Sequence, residues 1–172
     1  YKRQFMMRSI LEAAGHKTGV IGTIGVLYGD TLVQTDNTTP ENYEVQKFMR
    51  QMVDAGCEYC VMEVSSQALA QGRVNGLTFE IAAFSNLTQD HLDYHKTWEN
   101  YFKAKRMLFE QCKTAVTNKD DKYGLEIVAG LPCKVVTYAV NNNDADYVAK
   151  NVKFKASGIE YEPVSYTHLR AH

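Results

Sequence analysis

The sequence predicts an α/β domain, a mainly parallel sheet with helices on both faces, plus a small antiparallel sheet. Two observations predict it. Helical apolar patterns alternate with short apolar runs from residue 5 to residue 140. Beyond residue 144 the pattern changes to the near-alternation of "DYVAKNVKFKASGIEYEPV", which reads as antiparallel strands at a sheet edge or in a second small sheet.

Taken in order, "FMMRSILEAAG" (5–15) reads as a helix closed by Gly15, and "KTGVIGTIG" (17–25) as a strand. "GVLYGDTLVQTDNTTP" (25–40) reads as a small hairpin and a polar loop. "ENYEVQKFMRQMVDAG" (41–56) is a helix ending at Gly56, and "CEYCVMEVS" (57–65) a buried strand. A short helix (67–74) leads to the strand "FEIAAFSNL" (79–87). Helix 97–112 carries Trp98, Tyr101, Phe102, Leu108 and Phe109 at helical spacing. Strand 114–118, helix 121–130 and strand 134–140 complete the alternation. There is no internal repeat and no low-complexity linker.

The 172 residues suffice for one domain with a real core, or for a large piece of a bigger one. At 45% hydrophobic and 23% charged residues the composition is that of a globular domain. A formal charge of −1 offers no basic field for nucleic acid and no polybasic segment for a membrane. The apolar runs are too short to span a bilayer and no signal peptide is visible, so the expected compartment is the cytosol. "CEYC" has redox or zinc spacing, but residues three apart on a strand point to opposite faces, and no second such pair completes a zinc site. Buried reduced thiols are the expectation.

In an open parallel sheet, ligands gather beyond the carboxyl ends of the strands. Glu63, followed by Ser65 and Ser66, lies at one such end, and His91 lies past the next. The loop 35–40 belongs on the same rim. Each group has two readings. Glu63 is a metal ligand or base, or else a salt bridge or helix cap. His91 and His95 are four apart and would share a helix face as zinc ligands, yet "TQDH" reads as a turn in which Asp90 orients His91. "TDNTTP" suits anion binding at a helix start or plain capping. Arg73 grips a carboxylate or phosphate, or is a solvated arginine. Lys105, inside the apolar stripe of helix 97–112, either snorkels to water or loses its proton. A neutral amine can take up carbon dioxide and become an anionic carbamate.

Together "ILEAAGHKTGVIGTIG", "NTTP", "EVSSQALAQGRV", "FSNLTQDHLDYH", "YFKAKRMLF" and "AVTNKDDKYG" resemble the Mur ligase family, over roughly residues 5–163. The resemblance is to the member that adds the third residue, diaminopimelate or lysine, to the peptidoglycan precursor. It implies an ATP-binding central domain with a P-loop and a reaction through an acyl phosphate, with ATP as co-substrate and Mg2+ as cofactor. It implies that Asn37, Thr38, Thr39, Ser65, Gln71 and Arg73 contact UDP-N-acetylmuramoyl-L-alanyl-D-glutamate. Glu63, His91 and a carbamylated Lys105 (N6-carboxylysine) would hold magnesium, and Asn118 and Asp121 would lie near the nucleotide. The implied partners are that precursor and an amino acid, with no nucleic acid and no membrane, in a monomeric cytoplasmic parent. No Gly-Lys-Thr occurs, so residues 5–164 read as an incomplete central domain, inactive by itself, with non-native ends at 1–4 and 165–172. The first helix is then expected to begin near Phe5, and both ends to pack poorly. Folylpolyglutamate synthetase and a non-catalytic nucleotide-sugar module are the alternatives. The former usually has a glycine-rich stretch where this chain has "VSSQALAQGRV".

Overall fold

In the computed structural model the chain divides into two units, residues 1–77 and 78–172. Each unit builds its own sheet. The structure describes residues 2–88, 92–156 and 158–166.

The first unit runs α1 (Lys2–Ala13), β1 (Thr18–Gly22), β2 (Gly25–Tyr28), β3 (Thr31–Val33), α2 (Asn42–Asp54), β4 (Tyr59–Met62) and α3 (Ser66–Ala70). Its strand order is β3-β2-β1-β4. The hairpin strands are antiparallel, and β4 returns parallel to β1 with Val20 beside Val61. α2 turns Val45, Phe48 and Met52 inward at helical spacing, and the last two meet Ile21 and Val26. Burying such side chains stabilises by about 1.5–3 kcal/mol each.

The second unit runs β5 (Phe79–Phe84), α4 (Leu92–His95), α5 (Trp98–Glu110), β6 (Cys112–Asn118), a 3₁₀ turn (Glu126–Val128), β7 (Lys134–Ala139), β8 (Tyr147–Lys155) and β9 (Gly158–Ser165). The order is β5-β6-β7-β8-β9, parallel up to β8, with β9 closing an antiparallel hairpin. The stripe read from the sequence faces the core: Tyr101 and Phe109 are buried with Phe84, Ala115 and Ile127, and Trp98, Phe102 and Leu108 pack against them.

The expected mainly parallel sheet lies in the second unit, and the first unit holds a smaller, mostly antiparallel sheet. Four expectations need correction. The first helix begins at Lys2 rather than Phe5, and Gln4 is buried. Ser165 pairs within β9, and Tyr166 packs beside Ala139, Ala145 and Val148, so the fold extends through both residues. β4 is an edge strand, half-exposed rather than buried. Cys57 precedes it, so the alternation argument does not apply, and both Cys57 and Cys60 pack on the same cluster. Finally, segment 121–130 is not a helix. Thr117 Oγ1 donates to Gly124 O at 2.6 Å, and Arg106 donates to the carbonyls of Glu126, Ile127 and Ala129. These tertiary bonds take the groups that a helix would use.

Candidate functional site

The first unit gathers polar groups beyond the carboxyl ends of β1 and β4. Thr39 is the hub, and it is buried. Its hydroxyl donates to Glu63 O at 2.9 Å and accepts the Ser65 N–H at 3.0 Å, tying the loop before α2 to the end of β4. Its carbonyl accepts from Arg73 Nη1 at 2.9 Å. The expected capping role of this loop falls elsewhere. Glu41 is the N-cap of α2, its own N–H given to the Glu44 carboxylate at 3.3 Å. Thr39 is thereby freed for the strand end. Ser65 caps α3, its hydroxyl accepting the Ala68 N–H at 3.1 Å.

Arg73 is not a solvated arginine. Its side chain is 13% exposed, and Nη2 pairs with Glu41 Oε1 at 3.1 Å. Its Nε is buried without a hydrogen-bond partner among the described residues. A buried donor left unmade costs about 1–3 kcal/mol, so such a group marks a place where an acceptor belongs.

Glu63 accepts from Gln4 Nε2 at 2.9 Å and from Thr23 Oγ1 at 3.2 Å. Both bonds end on Oε2, so Oε1 has no partner among the described residues. Thr23 Oγ1 also lies 3.3 Å from Thr38 Oγ1, which links the two halves of the rim. The salt bridge and the helix cap offered as alternatives for Glu63 are absent among the described residues, since its partners are neutral.

Gln4 and Thr23 were not recognised from the sequence. Thr23 was findable, because it sits in the turn that ends β1 on the same rim. Gln4 reaches Glu63 because residue 22 is glycine: a Cβ there would meet Gln4 Nε2 at 2.3 Å. Asn37 and Gln71 lie exposed, Asn37 in the loop that carries Thr38 and Thr39 and Gln71 just past α3.

In the second unit, Lys105 is half-buried on α5 beside the buried Ala104. His91 lies outside the described residues, as does Asp90. His95 is buried against the Tyr101 ring at 5.4 Å, a packing position. Among the described residues no three acidic, histidine or cysteine side chains form a metal-binding group.

Asn118 and Asp121 sit in the turn after β6. Asn118 Nδ2 donates to Ser85 O at 2.9 Å, and its Oδ1 accepts the Asp120 N–H at 3.0 Å. Asp121 accepts the Tyr123 N–H at 2.9 Å and the Leu87 N–H at 3.4 Å. Asp120, not singled out in the sequence, accepts the N–H groups of Val140, Asn141 and Asn142. Burial pushes its carboxyl up, but these three donors outweigh that and hold its pKa below the usual 3.8.

Residues 4–171 match the Mur ligase middle domain. The chain belongs to that family. This Mur ligase middle domain is similar to UDP-N-acetylmuramoyl-L-alanyl-D-glutamate–2,6-diaminopimelate ligase 1 of Clostridium acetobutylicum, 46% identical over 168 residues, which are 98% of this chain and 34% of that protein. The ligase of the same function name from Clostridium perfringens is 47% identical over 163 residues, 92% of this chain and 34% of that one. A solved structure of a UDP-N-acetylmuramoyl-L-alanyl-D-glutamate–2,6-diaminopimelate ligase has a TM-score of 0.85 at 32% identity, covering 95% of this chain and 34% of its own. The D-alanyl-D-alanyl-adding ligase from Acinetobacter baumannii, at 16% identity and a TM-score of 0.60 over 95% of this chain and 36% of its own, shares the fold. The chain spans about a third of the length of the curated relatives it matches. Among its described residues no helix is long and apolar enough to cross a membrane.

Proposed function

We propose that this domain is the central part of an ATP-dependent ligase that adds diaminopimelate to UDP-N-acetylmuramoyl-L-alanyl-D-glutamate. Relatives that carry that name at 43–47% identity support the reading over folylpolyglutamate synthesis. The observation that carries it in this chain is the buried Arg73 with an unmet Nε, next to a rim of hydroxyls. A buried guanidinium with an unmet donor fits an anionic substrate better than a structural tie whose bonds are complete.

In this proposal Thr38, Thr39, Ser65 and Arg73 position the precursor, with Asn37 and Gln71 at its edge. Arg73 orients an anionic group of that substrate, and the Thr39 bridge keeps the loop in register with the strand end. The free Oε1 of Glu63 fits magnesium, which takes carboxylate oxygens and keeps several waters. His91 and Lys105, the latter as a carbamate, would complete the set. Magnesium, when bound, neutralises charge on the phosphoryl group moving from ATP to the substrate carboxylate. Gln4 and Thr23 hold Glu63 by neutral hydrogen bonds, which leave its negative charge for a cation. Asn118 and Asp121 would support the nucleotide side through their turn. The whole protein is proposed to act as a cytoplasmic monomer.

The test is a chimera in which this chain replaces the matching third of the C. acetobutylicum relative. It should release phosphate only with ATP, magnesium, the precursor and diaminopimelate together. Arg73→Ala should raise KM for the precursor by about tenfold or more, with KM for ATP nearly unchanged. Lys105→Ala should nearly abolish turnover with the fold intact, and Lys105→Arg should not rescue, since it keeps the wrong sign of charge. Equal weakening of both substrates, or a fully active arginine variant, would contradict these roles.

A further inference from the structure

We propose that Cys112 and Cys133 form an oxidisable pair, which hydrogen peroxide joins as a disulfide stapling the start of β6 to the start of β7. Neither thiol takes part in the proposed ligase chemistry.

The geometry comes from the second sheet. Cys112 is the first residue of β6, and Cys133 directly precedes β7. These strands are parallel neighbours, and the pairing of Thr114 with Lys134 brings their starts side by side. In this register Cys133 lies one residue out of step with Cys112, and a strand spacing of about 4.8 Å with a rise of about 3.3 Å sets their Cα atoms roughly 6 Å apart, within the span that a disulfide bridges. Both side chains pack on the cluster that holds Ala115 and Ile127, and they are direct neighbours. Both are free thiols and both are partly exposed, so a small oxidant can reach them. Cys112 also touches Phe109 O at 3.4 Å, which fixes its side chain at the end of α5.

The step balances without another reagent. One sulfur attacks peroxide, the O–O bond breaks, water leaves, and a sulfenic acid remains. The second sulfur displaces the hydroxyl as a second water, and the S–S bond forms. Two thiol hydrogens and two electrons have gone to one peroxide. The attacking species is a thiolate. Burial, and then the neighbouring Cys133, pushes the Cys112 thiol up to about 11. The reaction is therefore slow near neutrality and quickens as pH rises.

The "CEYC" pair is the internal control. Its spacing looks more redox-like, yet burial first, then Cys57, pushes Cys60 up to about 12. It should lag behind the 112–133 pair.

The experiment oxidises the 172-residue chain with excess peroxide at about pH 9, then alkylates and digests it with trypsin without reductant. The expected product is a linked pair of peptides, 107–113 with 123–134, two hydrogens lighter than their sum and separated again by dithiothreitol. It should persist in a Cys57→Ser, Cys60→Ser chain and vanish in Cys112→Ser and in Cys133→Ser. The oxidised chain should also melt several degrees higher, because the bridge closes a loop. Recovery of the two peptides unlinked, as alkylated thiols or as sulfinic acids, would overturn the proposal. So would closure of 57–60 alone.

Discussion

The rim of the first unit and the turn after β6 in the second are built from the same kinds of residue: carboxylates, an amide and hydroxyls at strand ends. They differ in what is left over. In the turn, Asn118, Asp120 and Asp121 spend their oxygens on backbone N–H groups, three of them on Asp120 alone. On the rim, Glu63 keeps one oxygen and Arg73 keeps a buried Nε unmet. Position at a strand end is thus shared by structural and binding groups. The count of unspent donors and acceptors separates them, because a satisfied polar network rigidifies while an unsatisfied one waits for a partner.

The comparison predicts that changes in the turn act on stability. Gly124 should show the largest effect, since a Cβ there would meet Asn118 O at 1.8 Å. Gly124→Ala should cost roughly 3 kcal/mol or more, by forcing the turn open. Chemical denaturation of the chain would read this. A midpoint close to wild type would show that the turn is softer than its bonds imply.

Thr39→Val tests the hub of the rim. It removes the acceptor of the Ser65 N–H and the donor to Glu63 O in one buried position. The expected loss is about 1–3 kcal/mol, read as a lower thermal midpoint. Thr39 therefore straddles the comparison, a structural residue that holds binding residues in place. An unchanged midpoint would mean that the loop finds its register by other means.

Much of this was legible in the sequence. The stripe of α5 is intrinsic to its spacing, and the hairpin strands announce themselves by their turns. The gathering of Thr39, Glu63 and Ser65 follows from the rule that strand ends collect ligands. What was not legible depends on distant partners. Segment 121–130 has a helical pattern, but Arg106 and Thr117 claim its carbonyls. Gln4 looks like an ordinary polar residue until Gly22 lets it approach Glu63. Which strands fill each of the two sheets depends on distant pairing, and no single run carries that information.

Acid should probe the turn more gently. Asp120 has a folded pKa below 3.8, so the folded state binds fewer protons than the unfolded one in that window. Its contribution is complete above the usual value and fades as pH falls through the lower folded value. Asp120→Asn should therefore lower stability at neutral pH by about 1 kcal/mol or less, given its exposed position, and should flatten the loss below pH 4. Parallel acid titrations of the two chains would show it, and identical curves would mean that Asp120 does not hold the turn.

Glu63→Gln should have the smallest effect on stability and is the most direct test of the comparison. Glutamine keeps an oxygen for Gln4 and Thr23 but loses the charge that a cation needs. The measurement pairs the thermal midpoint of the chain with the ligase rate of the chimera, each with and without the substitution. The expected midpoint lies within about a degree of wild type, and the expected rate is lower by about a hundredfold or more. A wild-type rate accompanied by a fallen midpoint would place Glu63 with the turn residues, as a structural carboxylate, and would contradict the functional reading of the rim.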